Sequence, residues 1–457
     1  MKKKRKTAAE QLSASQSDRM TLAFFGYSWN AEHRLDAYME ETVQSLLQAG
    51  VNVDFYFGNQ LSKEFGIYGV ADVLDLASME QFFKSKNYPA AISFNNSMLI
   101  PQVLGAIRGT VATVIVDDLS HVFDNSRTGP YGVFRQDIEI VAMSSALERQ
   151  LLANVEGVAD RLHFMLPATH LERPPVLPGQ AAEYPISWVA SLVGDEKLQL
   201  YLNAVAEHPS YYALTERCLN RLARDGHLRS IEEEDGADFA LIKTIPWSFE
   251  YFTAQLLNVL TNRSRVELVR RLAPHGLALW GNAGWRNLLT HDAAVFSALQ
   301  PQAITLHADL RRVYNASKIS INMPQAHVAN DAVQYRVIDV MASNALMITQ
   351  YNKNSDLYRV FGADCPIPTY DNLATLERLC VHYLNHETER RALVERCHRL
   401  VAEGFSFRER AAKLLDIVGL QSRAGAAPGR LNRIDLRKFL TPAEAARLRE
   451  ATQQRLA

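Results

Sequence analysis

The strongest constraint on this chain is a repeated alternation of short, almost wholly apolar runs with stretches of helical periodicity. Met20–Ser28 (MTLAFFGYS) is a compact apolar run that ends in Gly and Ser. Arg34–Ala49 follows with helical spacing through Leu35, Tyr38, Met39, Val43, Leu46 and Leu47, and stops at Gly50. Val51–Gly58, Ala90–Phe94, Val111–Asp117, Ile138–Ser144 and Leu162–Pro167 continue the series. A strand that is apolar at nearly every position must be covered on both faces. The interleaved helices supply that cover, so the pattern predicts a parallel, doubly wound α/β sheet.

The pattern stops and then restarts. Between Leu171 and Pro185 stand Pro174, Pro175, Pro178 and Pro185 with few large apolar residues, as in a linker between domains. Ile186–Val193 (ISWVASLV) then ends at Gly194, like the first strand and turn of a second nucleotide-binding type of domain. Glu196 to about Leu260 reads as a helical insertion with an acidic run, Glu232–Asp235. Strand-like runs return at Leu277–Trp280, Ala303–His307, Ile319–Met323 and Leu346–Thr349. A polar turn (Thr369–Asn372) precedes three helical segments that run to about Leu420. Thr441-Pro442 suits the start of a last helix, Thr at N-cap and Pro at the first helical position. The expected organisation is therefore a disordered basic tail (1–19), an N-terminal Rossmann-like domain (20–170) and a linker (171–185). A second Rossmann-like domain (186–420, with the insertion at about 196–260) and a linker with a C-terminal helix (421–457) complete it. Ligands of such sheets bind beyond the carboxyl ends of the strands, so the site is expected in strand-end loops facing the cleft between the domains.

Charge narrows the partners. Of the 49 Lys and Arg residues, five are Lys2, Lys3, Lys4, Arg5 and Lys6; the remaining 44 face 50 Asp and Glu, so the body carries about −6. Such a body excludes a protein that tracks nucleic acid over a broad basic surface, and leaves the tip, at most, a peripheral contact with an anionic membrane. No apolar run approaches the roughly 20 residues of a membrane span, and the basic start runs into polar residues rather than a secretory core. Cys218, Cys365, Cys380 and Cys397 show no CxxC spacing, so neither a disulfide framework nor a structural zinc site is expected, and a cytoplasmic setting is.

The most informative stretch is Ser317–Gln350 (SKISINMPQAHVANDAVQYRVIDVMASNALMITQ). A strand opens into a polar loop, then a helix with Val333, Val337, Val340 and Met341 on one face, then another strand. Asp331 is expected at the helix start, where a carboxylate suits the dipole and the first-turn N–H groups suit an anion. Arg336 and Asp339 are three apart. On a helix by a strand end, the carboxylate can take the hydroxyls of a ribose and the guanidinium can neutralise a diphosphate, with Lys318 a second candidate cation. The same spacing fits an ordinary surface Arg–Asp pair. Leu277–Trp285 (LALWGNAGW) carries Gly281 and Gly284, which either let backbone approach a base or phosphate or make a tight turn against a packed Trp. Thr113–Asp124 (TVIVDDLSHVFD) puts Asp117, Asp118 and His121 at a strand end, where they suit deprotonation of a hydroxyl or, alternatively, helix capping; His170 is a further candidate. Neither HExxH, a GxxxxGK[ST] loop nor GxSxG occurs, which argues against zinc proteases, P-loop NTPases and hydrolases of the GxSxG class.

Residues 317–419 resemble the C-terminal domain of glycosyltransferases with two Rossmann-like domains (the GT-B architecture), closest to the spore-maturation-protein-like branch. The likeness rests on Ile319-Ser320-Ile321-Asn322, on Tyr335-Arg336-Val337-Ile338-Asp339-Val340-Met341-Ala342-Ser343-Asn344, and downstream on Val381–Leu384, Glu387–Arg390 and Phe405–Arg410. The sequence departs from the pattern at Asn344, where the family has Gly, and in lacking a second Glu about eight residues before Asp339. The resemblance implies sugar transfer from a nucleotide-sugar donor to a hydroxyl of a glycan, protein or small molecule. Arg336, Asp339, Asn322, Tyr335, Gly281 and Lys318 would then hold the donor, with Gly194 beside the transferred group, and Asp118, His121 or Asp117 would activate the acceptor. It implies no cofactor besides the donor, and no metal. Two other readings stay open on the sequence: a nucleotide-sugar epimerase of the same fold, and a non-catalytic binding protein.

Overall fold

In the computed structural model the described residues are 20–26, 37–57, 74–95, 97–116, 137–175, 182–193, 196–225, 236–244, 249–302, 304, 306–324, 331–422, 425, 427–447 and 450. Among them the chain forms twelve strands: β1 (Thr21–Gly26), β2 (Asn52–Phe57), β3 (Ala91–Phe94), β4 (Val111–Ile115), β5 (Ile138–Ala142), β6 (Leu162–Phe164), β7 (Tyr184–Val189), β8 (Leu277–Trp280), β9 (Ser317–Asn322), β10 (Leu346–Gln350), β11 (Thr369–Tyr370) and β12 (Leu431–Ile434). They make two sheets, ordered β12-β2-β1-β3-β4-β5-β6 and β11-β10-β9-β7-β8. Every pairing is parallel, as continuous apolar strands with helical crossovers require. The α/β class with two doubly wound sheets is therefore the one that forms.

The chain divides into two compact units. One comprises Met1–His170, Asp331–Val333 and Glu403–Ala457; the other comprises Leu171–Asn330 and Gln334–Ala402. This grouping is not a cut at one point in sequence. The helix Phe407–Ile417, started by a Ser406/Glu409 capping box, packs on the helix Ala37–Gln48 of the first unit. Beyond it β12 pairs with β2 and becomes the edge of the first sheet. Gly429 makes that approach possible, because a Cβ there would lie 1.9 Å from the Val51 carbonyl oxygen. A helix over 442–447 follows Thr441, as the Thr-Pro pair predicts.

In the second unit, Ile186, Trp188, Leu277, Leu279, Ile319, Ile321, Leu346 and Ile348 come from alternate positions of four strands. They share one buried cluster with Leu268, Val269, Leu272 and Trp285. The insertion has its own small core of Val205, Leu214, Cys218, Leu219, Leu222, Ile242, Phe252 and Leu256. The helix Phe249–Leu272 contributes to both, Phe252 and Leu256 at one end and Leu268 to Leu272 at the other. Two expectations fail locally. His307 opens the helix His307–Asn315 instead of closing a strand from Ala303, and Thr369–Tyr370 is not a free turn but pairs with β10.

A buried charge ties the C-terminal edge strand to the first sheet. Asp54 on β2 is 1% exposed and accepts hydrogen bonds from Tyr88 Oη, Lys86 Nζ (2.9 Å) and Asn432 Nδ2 of β12 (2.7 Å). Burial pushes its pKa up, but the bonds from Tyr88, Asn432 and Lys86 together outweigh that and hold it below the ordinary carboxylate value. Asp54→Ala should cost about 2–4 kcal/mol, because three donors lose a common acceptor. Since the folded pKa is depressed, this stabilisation is complete above the unfolded value near pH 4 and is lost as pH falls through the folded one. Urea unfolding at pH 7 and pH 3 checks this: the wild-type advantage over the variant should shrink at pH 3, and equal midpoints at pH 7 would refute it.

Candidate active site

The second unit carries a cavity of about 440 Å³ lined by Val189, Ala190, Ser191, Arg265, Trp280, Gly281, Asn282, Ile304 and Arg336. It lies where β7 and β8 end, at the carboxyl edge on which doubly wound sheets bind ligands. Its floor is the loop after β7, and that loop is held peptide by peptide. Trp285 Nε1 donates to the Ala190 carbonyl (2.6 Å), and the Ala190 N–H donates to the Trp280 carbonyl (2.8 Å). Arg265 Nη1 donates to the Ser191 carbonyl. The Asn282 side chain takes both groups of Leu192, accepting from its N–H (3.0 Å) and donating to its carbonyl (2.7 Å). Asn262 does the same for Val193, at 2.8 and 2.6 Å. Gly281 is needed for this packing, since a Cβ on it would sit 2.4 Å from the Ala190 oxygen and 2.3 Å from Trp285 Cδ1.

Two guanidinium groups reach the cavity, and neither forms an ion pair among the described residues. Arg265 is 4% exposed, and its Nε is buried without a partner. Burial first, and then the like charge of Arg336, push its pKa down to about 10, which still leaves it charged at neutral pH. Arg336 is held by Asn322 Oδ1 (3.4 Å) and by the buried Tyr314 hydroxyl, whose pKa burial raises to about 12. Its Nε is also buried without a partner. Asn322 is in turn fixed by Thr349 Oγ1 (3.0 Å), and its carbonyl accepts from Tyr370 Oη (3.1 Å). Like charges converging on one cavity favour an anion between them.

The structure sorts the residues expected from sequence. Arg336 and Gly281 line the cavity, and Asn322 stands behind Arg336. The surface Arg336–Asp339 pair does not form: Asp339 is 3% exposed and faces His307 Nε2 at 3.2 Å. Tyr335 is the first residue of the helix Tyr335–Met341, next to Arg336, and does not line the cavity. Lys318 is not brought to it. In β9 it is level with Pro185, four residues short of the strand end, which is about 13 Å along a strand. Asp331 does not start the helix, whose N-cap is Gln334; it pairs with Arg149 inside the first unit. Gly194, Asp117, Asp118 and His121 lie outside the described residues. His170 belongs to the first unit and pairs with Glu41 at 2.7 Å. Asn344 stands in for Gly without strain: its φ is not positive, its N–H donates to Asn315 Oδ1 and its Nδ2 donates to the Pro174 carbonyl.

Arg265, Asn262, Asn282 and Trp285 escape sequence reasoning as site residues. For Arg265 a signal exists, because it falls in phase with Leu268, Val269 and Leu272, so an arginine occupies the apolar face of its helix.

Known proteins agree with this architecture. Residues 263–416 match the family model described as glycosyl transferase-like, a span that holds Arg265, Gly281, Asn322, Arg336 and Asp339. The whole fold is similar to sucrose-phosphate synthase from Thermosynechococcus elongatus (TM-score 0.54, 12% identity, 87% of this chain and 98% of that one). It is also similar to Anabaena HepE, solved in complex with UDP-glucose (0.51, 8%, 87% and 100%), and to a glycosyltransferase from Rickettsia africae (0.50, 10%, 88% and 98%). No curated protein matches the chain. The fold is that of the GT-B glycosyltransferases, and residues 263–416 form a glycosyl transferase-like region.

The two glycines separate packing from contact. Gly281→Ala should destabilise the protein by about 1–3 kcal/mol, because a backbone oxygen and a buried indole must move. Gly284→Ala, whose nearest neighbour would be at 3.1 Å, should cost less than roughly half of that. Chemical denaturation of both variants checks the order; equal costs would contradict it.

Proposed function

We propose that the protein is a glycosyltransferase that uses a nucleotide-sugar donor, bound with its diphosphate between Arg265 and Arg336. The observation that carries this reading is the convergence of two guanidinium groups, neither with an ion-pair partner among the described residues, on a strand-end cavity. A diphosphate supplies the charge they lack, and planar guanidinium forks suit its oxygens. In the transfer step the bond from the anomeric carbon to the diphosphate oxygen breaks, an acceptor oxygen bonds to that carbon, and the acceptor proton passes to a base. Negative charge grows on the departing diphosphate, where the two arginines stabilise it without requiring a metal.

Trp280 and Ile304 offer apolar surface beside the guanidinium groups, suited to a base or ribose face. Asp339, buried against His307, acts in this reading by setting the helix that carries Arg336 and not by touching ribose. Acceptor deprotonation is assigned to Asp118, His121 or Asp117, which follow β4 in sequence. The acceptor class is a glycan, protein or small-molecule hydroxyl, and the branch typified by spore-maturation proteins is the expected kin. HepE's complex with UDP-glucose makes that molecule the first donor to try.

Calorimetric titration with UDP, GDP, ADP and their glucose conjugates tests the reading. At least one should bind, and Arg265→Ala and Arg336→Ala should each weaken it about 10- to 100-fold, the loss of one charged hydrogen-bonding group. Turnover of the bound donor without acceptor should release free sugar and the nucleoside diphosphate; release of an epimer would move the same site to epimerase chemistry. No binding by the wild type to any of the six, or wild-type affinity in both variants, would refute the donor site.

A further inference from the structure

Every carbonyl from Ala190 to Val193 is taken by a side chain, respectively that of Trp285, Arg265, Asn282 and Asn262. Three of the four N–H groups are taken as well, Ala190 by the Trp280 carbonyl and Leu192 and Val193 by the two asparagines. The fourth, on Ser191, has no acceptor among the described residues, and Ser191 is an exposed residue of the cavity wall. A loop held this completely presents that one peptide donor in a fixed place. The donor stands beside Arg265, whose guanidinium binds the same residue's carbonyl.

We infer that Asn262 is a positioning residue of this anion site. It touches neither the cavity nor the bound group. By gripping both polar atoms of Val193 it fixes the Ser191 N–H as a third donor to the diphosphate, beside Arg265 and Arg336. The inference rests on the donor-site reading above. Asn is suited to the task because its amide carries an acceptor and a donor on one plane, which no apolar or singly functional side chain provides. Its place on the helix is equally apt. Asn262 and Arg265 are three apart on Phe249–Leu272, so one face of a single rigid element supplies both the grip on the loop and the cation beside it. That helix is anchored at both ends, by Phe252 and Leu256 in the insertion's core and by Leu268, Val269 and Leu272 under the sheet. The insertion thereby has a mechanical role: it holds the helix that holds the loop.

Inorganic pyrophosphate is the probe, since it carries the charge without base or sugar. With the full chain, binding is measured by calorimetry and the protection of the Val193 amide by hydrogen exchange. Asn262→Ala should expose the Val193 amide and weaken pyrophosphate about tenfold or more, as a displaced preorganised donor predicts. Asn262→Asp keeps the acceptor for the Val193 N–H with almost unchanged shape, loses the donor to its carbonyl, and should fall between wild type and Asn262→Ala. This second variant serves if the alanine variant does not fold. Asn258→Ala, one turn earlier on the same helix and without a bond to Ala190–Val193, should bind as wild type. A folded Asn262 variant with an exposed Val193 amide and unchanged affinity overturns the inference, and so does equal weakening by Asn258→Ala. A wild-type protein that binds one of the six nucleotides but not pyrophosphate overturns the inference alone; one that binds neither overturns the donor-site reading, and the inference falls with it.

Discussion

The second unit is organised around two arginine side chains that no carboxylate among the described residues answers. Removing a cation from water is costly, and bringing a second one near it adds repulsion, visible in the lowered pKa of Arg265. A fold keeps such an arrangement only where the surrounding structure enforces it. Here the enforcement is specific: Ser191 fixes Arg265, Asn322 and Tyr314 fix Arg336, and Thr349 and Tyr370 fix Asn322.

The first unit shows the contrasting case. Asp54 is as deeply buried, but Tyr88, Lys86 and Asn432 surround it, and the result is a clasp for an edge strand. A buried charge with partners on every side serves the fold. Two like charges at a strand-end cavity, Arg265 buried and Arg336 half-buried, favour an anion. The chemistry of the proposed transfer follows from that difference, because charge developing on a departing diphosphate is what such a pair is built to receive.

Much of the fold was legible in the sequence, for a simple reason. Parallel strands buried on both faces must be apolar throughout, so β1 to β5 and β7 to β10 stand out as runs with helical periods between them, and the edge strand β6 starts the apolar run Leu162–Pro167. β12 did not, because Leu431-Asn432-Arg433-Ile434 is a half-exposed edge held by backbone pairing and by Asn432, not by a hydrophobic run. The site was legible only in part. Arg336 and Asn322 stand in a strand–loop–helix whose spacing resembles a known pattern. Arg265 comes from a helix some 70 residues earlier, and only its phase with Leu268, Val269 and Leu272 betrays it. The spacing makes Asp339 a ribose candidate, but spacing tells which residues share a helix and not which are buried; in the structure Asp339 is buried and faces His307 Nε2. Gly281 both lines the cavity and leaves room for Trp285, so the structure keeps both alternatives that its spacing offers.

The central claim, that the two guanidinium groups form one diphosphate site, is most directly tested by a crystal structure of the protein with a nucleoside diphosphate. The account predicts phosphate oxygens within hydrogen-bond distance of both Arg265 and Arg336, at the carboxyl edge of β7 and β8. A diphosphate bound elsewhere, with these two side chains untouched, would contradict it.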